Sequence, residues 1–446
     1  MATNISGLEG DMASSTYSLV DNVALDRQQA AITASRTLIR SPSRTHRDAR
    51  VPDEDALAQQ AAEMGLSEPD ELSAIQAAQA AKSGVRMKRA SRMAESRPHT
   101  NAAASPPPIP GKDAWSAGAE ARAPTPAMYW SKRATWGARP PKMRSQTMSV
   151  IGSGLFVFGG WNNSICYNDV YVLDTETMFW TRMRTSGDEV PPCRAHTATA
   201  VGYRLFVFGG GDGTQYFSDL YVLDVRTCVW TRAPLVGPAP SSRRTHTCFY
   251  YDGFVYLFGG GDGHRALNDL WRVRAEPDAN GAYAWEEVET TGGRPFPRGY
   301  HTSTLVGNQV VVFGGSDGQE CFGDTSLLNL DTLEWAHVPI DPPLTRLAHT
   351  ATLVGMYLFV ICGHDGSDYS SQVLMLKLDT LKWETRTIYG KAPQPRGYHA
   401  CALQDGRLFV HGGYNGQEVF DDLYTLELSS YSYLPQVPEF VIGCHR

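Results

Sequence analysis

The chain has 446 residues, 42% hydrophobic and 20% charged, with a formal net charge of -7. That acidic balance excludes broad nucleic-acid binding, which depends on basic surfaces that neutralise phosphate. No run approaches the roughly 18 apolar residues of a membrane helix, and the start, MATNISGLEGDMASS, lacks the apolar core of a signal peptide, so a cytoplasmic protein with no membrane span is expected.

Residues 1–126 form the first unit. Tyr17 and Trp115 are their only aromatics, Ala, Ser, Arg and Pro dominate, and 14 Lys+Arg stand against 15 Asp+Glu. Such a segment buries too little apolar surface to offset its ordering entropy and is read as a disordered extension. Within it, 53–64 and 69–82 are rich in Ala, Gln, Glu and Leu, and Ser67-Glu68-Pro69-Asp70-Glu71 is a sound helix start. Transient helices in a linker are expected there, a partner-docking helix being the other reading. Ser41 before Pro42, and Ser91 behind Lys88 and Arg89, stand in phosphorylation-like settings, where a phosphate adds about two negative charges. Ser105-Pro106-Pro107-Pro108-Ile109-Pro110 reads as an extended spacer.

A repeat then takes over. LFVFGG ends at Gly160 and again at Gly210, followed by VYLFGG at Gly260, VVVFGG at Gly315, LFVICG at Gly363 and LFVHGG at Gly413, at spacings of 50, 50, 55, 48 and 50 residues. In the second unit, 197–201, 204–208, 219–223 and 228–232 are short β-branched or aromatic runs divided by turn residues, which predicts four antiparallel strands, a to d. The double glycine ends strand b where a Cβ would crowd the backbone, and Asp212-Gly213 behind it signals a tight turn. Asp169, Asp219, Asp269, Asp324 and Asp422 recur at the start of strand c, where a carboxylate is expected to serve loop N–H groups. Trp180, Trp230, Trp285, Trp335 and Trp383 mark strand d and are expected to wedge between neighbouring sheets.

The double glycine, the aromatic in strand c (Tyr221, Tyr424) and the strand-d tryptophan, repeated in register, resemble the Kelch-repeat family, whose period is about 50 residues. The resemblance implies an all-β, six-bladed Kelch β-propeller over residues 127–434, with a C-terminal tail at 435–446. A propeller must join its ends. Trp130 lies 50 residues before Trp180 and has no a, b or c strand ahead of it, while the last unit has no tryptophan after its strand c. A strand at 127–134 is expected to complete the sixth blade; Tyr433 marks the competing candidate.

Strands a and b being antiparallel, the d-to-a and b-to-c loops share one face of the disc. The start of strand a carries arginines: Arg243, Arg298, Arg346 and Arg396 three residues before a histidine, and Arg194 and Arg244 two before, with Arg144 before Gln146 in the first unit. A ring of guanidinium forks suits carboxylates. The resemblance implies a ligand role for Arg243, Arg298, Arg346 and Arg396, because Kelch domains that capture acidic peptides use arginines there; a purely structural role in the blade is the alternative. The b-to-c loops differ between units and add Trp161, Tyr216, His264 and Tyr369 as candidate partner contacts, with hot-spot composition. The five repeated histidines belong to separate units and lack the pair spacing of a metal site, so no metal, no cofactor and no catalytic residue is expected. Eight cysteines without CxxC pairing are read as reduced thiols.

These readings lead to a non-catalytic scaffold or adaptor that binds a protein partner, through an acidic peptide, on the d-to-a and b-to-c face. Its architecture is similar to fungal-type Kelch proteins of cell polarity and Ras-pathway signalling. The alternatives are a substrate-recruiting ubiquitin-ligase adaptor, which has no ligase-binding segment here, and a Kelch-type metal-dependent oxidase.

Overall fold

The computed structural model describes residues 128–428 and residue 442. The extension over 1–126, with its two helical stretches, Ser41, Ser91 and the proline run, lies outside these residues, as does the candidate strand at Tyr433.

Regular structure among the described residues is entirely β, in six sheets whose innermost strands contact one another in a closed ring. This is a six-bladed propeller. Blade 2 shows the unit: strand a, Thr197–Val201; b, Arg204–Phe208; c, Leu220–Asp224; d, Val229–Arg232, each antiparallel to the next. Strands c and d begin one residue later than the sequence pattern suggests. Strand b is buried on both sides at Leu205–Phe208, which a continuous apolar run requires and a half-exposed strand would not. Five sheets gain a fifth, parallel outer strand of two or three residues; blade 5, from Thr350–Val354 to Lys382–Glu384, has four.

Blade 6 is assembled from both ends of the described chain. Its strands a to c are Ala400–Gln404, Arg407–His411 and Leu423–Glu427, and the fourth is Met128–Lys132, antiparallel to Leu423–Glu427 with Trp130 opposite Leu426. Trp130 is buried in the cluster that joins blades 5 and 6, beside Ile361 and Met375.

The tryptophans do sit between blades. Trp230 packs on Phe158 of the preceding blade with ring centroids 5.1 Å apart, Trp285 on Phe208 at 5.0 Å and Trp335 on Phe258 at 5.0 Å. The double glycines also serve the seam. The N–H of Gly210 donates to the Arg243 carbonyl of the next blade at 2.9 Å, and Gly160, Gly260, Gly315, Gly363 and Gly413 make the same bond forward. Gly210 has φ +87°, and a Cβ there would lie 2.7 Å from the Arg194 carbonyl oxygen, so only glycine fits. Ile442 is buried with Val306, Val338, Ile340 and Leu378 of blades 4 and 5.

Candidate protein-interaction face

Around the propeller axis, one residue per blade adopts a left-handed conformation: Ser145, Ala195, Thr245, Tyr300, Ala348 and Tyr398, with φ from 53° to 73°. That conformation is unfavourable for residues other than glycine and persists where the surroundings over-determine it. Here backbone hydrogen bonds between blades do so, from Ala195 N to Ser145 O (3.0 Å), Tyr398 N to Ala348 O (3.0 Å) and Ser145 N to Tyr398 O (2.9 Å). The d-to-a and b-to-c loops meet above this ring, since Arg194 bridges Gly211 and Arg144 bridges Trp161.

The repeated histidines lie beneath it and belong to the scaffold. His196, His246, His301, His349 and His399 are buried, and each Nε2 bonds a threonine hydroxyl of the preceding blade, Thr147, Thr197, Thr247, Thr302 and Thr350, at 2.9–3.1 Å. Burial pulls His196, His301 and His399 down to about 3, so the rings are neutral. Among the described residues no group of three or more His, Cys, Asp or Glu is placed to hold a metal ion. Burial pushes Cys166 and Cys321, in the b-to-c loops, up to about 12, and none of the seven described cysteines is in a disulfide.

The arginines three before the histidine are sunk into their blades. Arg298 donates from both terminal nitrogens to Asp324 at 2.7 and 2.9 Å, from Nη1 to the Gly314 carbonyl and from Nε to the Phe296 carbonyl. Arg243 repeats this with Asp269 and Gly259, and Arg396 with Asp422 and Gly412. These three side chains are at most 1% exposed. They are struts that tie the start of strand a to the end of b and the start of c. The strand-c aspartates therefore serve guanidinium groups, where loop N–H groups were expected. Blades 1 and 2 have Met143 and Cys193 in the arginine position, and there Asp169 and Asp219 turn to Arg182 and Arg232 on strand d. Arg346 is the exception, with a single bond from Nη2 to Gln372 Oε1 at 3.1 Å.

The arginines two before the histidine position form a different set. Arg144, Arg194 and Arg244 come from three consecutive blades, whereas the other three blades have Gly299, Leu347 and Gly397 there. Each stacks on aromatic rings: Arg194 on Trp161 at 3.7 Å, Arg144 on Trp161 at 4.9 Å and on Tyr414 at 4.3 Å, Arg244 on Tyr216 at 4.3 Å. The chain of rings continues from Tyr414 to Tyr369 (6.1 Å) and His364 (5.0 Å). Arg144 also faces Tyr398, which meets Tyr300 at 6.3 Å. Guanidinium and aromatic groups thus alternate around one side of the mouth, a pairing that holds both rigidly.

Of the sequence candidates, the structure brings Arg194, Arg244, Trp161, Tyr216 and Tyr369 to this rim. His264 is exposed at the tip of its loop, on a turn fixed by Asp262; Arg194 and Arg244 are as buried as Arg243, Arg298 and Arg396, but they lie among the aromatic rings of the mouth where the other three are bonded to an aspartate of their own blade. Sequence reasoning passed over Tyr300, Tyr398, Tyr414 and His364; their signal was that each breaks the repeat at a position where other blades carry small residues. A depression lined by Val172, Phe179 and Arg182 is on the outer strands of blade 1, away from the mouth.

A family model for the KLHDC2/KLHL20/DRC7 Kelch-repeats domain matches residues 123–307 and 277–439. The chain belongs to the Kelch-repeat family. Among curated proteins, this Kelch propeller is similar to the Rab9 effector protein with kelch motifs of Rattus norvegicus, 29% identical over 146 residues, or 32% of this chain and 26% of that protein. It is also similar to acyl-CoA-binding domain-containing protein 5 of Arabidopsis thaliana (27% over 149 residues, 33% of this chain and 16% of that protein). Host cell factor of Drosophila melanogaster is 33% identical over 70 residues, 13% of this chain and 5% of that protein. The Kelch chain therefore spans a small part of each relative's length. Among its described residues no helix is long and apolar enough to cross a membrane.

Proposed function

We propose that this Kelch propeller is a non-catalytic interaction module that binds an acidic segment of a partner protein at the d-to-a and b-to-c face, as a scaffold in cytoplasmic signalling. The observation that carries the reading is the alternation of Arg144, Arg194 and Arg244 with Trp161, Tyr216 and Tyr414 around one side of the mouth. Arginine and large aromatics are the residues that dominate binding energy at protein interfaces, and the guanidinium fork matches a carboxylate in shape and charge. That one relative is named an effector of Rab9 supports a protein partner. Arg243, Arg298 and Arg396 serve in this reading as struts.

The test uses a fluorescently labelled octaglutamate peptide and anisotropy. Arg194→Ala and Trp161→Ala are each expected to weaken binding by about tenfold, the loss of roughly 1.4 kcal/mol expected of a hot-spot residue, while the protein still melts cooperatively. Unchanged binding in both variants retires the proposal, and stoichiometric copper or iron in the purified protein would replace it with an oxidase.

A further inference from the structure

The outer rim of blade 1 leaves an apolar patch open to solvent. Its outermost strand, Trp136–Gly137, runs parallel to strand d, Phe179–Arg182, with Trp136 opposite Phe179. Phe179 covers Gly137, where a Cβ would lie 2.8 Å from its ring, yet Phe179 keeps 50% exposure and Trp136 keeps 57%. The same places hold Val229 and Ser186 in blade 2 and Glu334 and Thr291 in blade 4, so the sheet does not require two large rings there. In blade 6 the pair is Tyr129 and Tyr389, whose hydroxyls suit an exposed site.

Trp180 packs under His411 of blade 6, so its neighbour Phe179 faces the other way, toward blade 2, where a groove of about 690 Å³ opens. Val172, Phe179, Met183 and Cys228 form its apolar walls and Arg182 and Arg184 its cationic edge; Asp174 is the one acidic group of the lining. Arg182 is paired with Asp169, and Asp174 holds the Glu176 and Thr177 amides, which leaves the exposed Arg184 as the charge that a ligand would meet.

Apolar patches rimmed by polar groups mark docking sites. The chain supplies a segment of matching character, outside the described residues. Residues 66–79, LSEPDELSAIQAAQ, begin with Glu68, Asp70 and Glu71 and continue with Leu72 and Ile75, which share a face at helical spacing. Carboxylates followed within a turn by two aliphatic side chains complement a cationic edge beside an apolar groove. A short helix is marginal alone and gains its stability from a surface that covers its apolar face. The chain enters the fold at Met128, a few residues before Trp136, at the end of blade 6 where strand c gives way to d, and the groove lies beside the corresponding Asp174-to-Phe179 turn of blade 1. The linker between residues 79 and 128 spans roughly 35–40 Å as an unstructured chain, which its composition predicts.

We propose that residues 66–79 of the extension dock in this groove, with Leu72 and Ile75 against Phe179, Val172 and Met183 and the carboxylates over Arg184. The segment then occupies the outer rim and leaves the mouth free for its partner.

Hydrogen exchange of the full chain, followed by mass spectrometry, tests this. Amides of residues 70–79 are expected to exchange about tenfold more slowly in the original protein than in Trp136→Ser or Phe179→Ser, where only the propeller is changed. Arg184→Glu, at an exposed position beyond strand d, is expected to release the segment in the same way and keeps the test decisive if Phe179→Ser loosens the outer strand. Leu72→Cys is further expected to form a disulfide with Cys228 under oxidised glutathione, located by peptide mapping, and Ser41→Cys, outside the segment, is not. Equal exchange of residues 70–79 in the original protein and all three variants overturns the inference, as does coupling to Cys228 no faster from Leu72→Cys than from Ser41→Cys. Slowing that disappears on dilution assigns the segment to the groove of a second copy and overturns docking within one chain.

Discussion

Gln146 reaches across the seam between blades 6 and 1 and donates through Nε2 to the His411 carbonyl at 2.9 Å. At other seams a histidine in this place meets a phenylalanine edge-on, as in His196 with Phe158 at 5.0 Å and His301 with Phe258 at 5.3 Å. Here the imidazole has changed sides. His411 occupies the phenylalanine position under Trp180, 5.4 Å from its ring, and the glutamine stands where the histidine would be. The exchange preserves one hydrogen-bonding group and one ring across the seam.

Gln146→His and His411→Phe are therefore expected to be coupled. Each alone mismatches the seam and should cost about 1–2 kcal/mol, while the double variant recreates the arrangement of the other blades and should recover about 1 kcal/mol relative to the sum. A double-mutant cycle by urea unfolding measures this; strict additivity would contradict it.

The buried histidines make the propeller acid-sensitive. His196, His301 and His399 titrate at about 3 and His364 and His411 at about 4 in the folded protein, against about 6.5 when unfolded. Between those values the unfolded chain takes up protons that the folded one refuses. Stability from these groups is complete above pH 6.5 and falls as the pH drops toward the folded values, by about 1.4 kcal/mol per pH unit for each histidine. The melting temperature should fall steadily from pH 6.5 to 4.5; a flat profile over that window would contradict the neutral, buried assignment.

Arg298→Met removes the cation of a strut and leaves Asp324 beside an apolar side chain. A loss of about 3 kcal/mol is expected, at the low end for a broken buried pair because Asp324 keeps 26% exposure. Octaglutamate binding by the folded fraction should not change. Loss of binding without loss of stability would make Arg298 a ligand contact.

The closing strand is expected to be essential. Trp130→Ala should cost about 3–5 kcal/mol, as for other buried large-to-small changes, and deletion of Met128–Lys132 should abolish cooperative unfolding by calorimetry. Persistence of a sharp transition in the deletion variant would show that the ring holds with three strands in its sixth blade.

The blade was legible because its determinants are local and repeated: the apolar run of strand b, the glycines behind it and the tryptophan of strand d all recur at fixed offsets. The arginines were harder, because the two sets differ by one residue in register and that shift turns a buried side chain from the aspartate of its own blade to the aromatic rings around the mouth. Their partners were nevertheless written in the chain. Arg243, Arg298 and Arg396 each precede an aspartate by 26 residues, and the two blades that lack this arginine, at Met143 and Cys193, carry Arg182 and Arg232 thirteen residues after the same aspartate. The rim was legible in part, since Trp161, Tyr216, Tyr369, Arg194 and Arg244 stand out in the sequence, but Tyr414 joins Trp161 and Arg144 only when blade 6 lies against blade 1, and nothing local in the sequence sets that contact.

Because Tyr129 pairs with Glu427, residues 128 and 428 emerge side by side at one edge of the disc. A short loop between them would make blade 6 continuous, so the chain can be opened elsewhere without altering any strand pairing. A circular permutant cut at the Asp252-Gly253 turn of blade 3 would keep all six sheets, while any protein fused ahead of residue 128 and any fused behind residue 428 would be delivered to the same point, at the c-to-d end of blade 6 and on the side opposite the mouth.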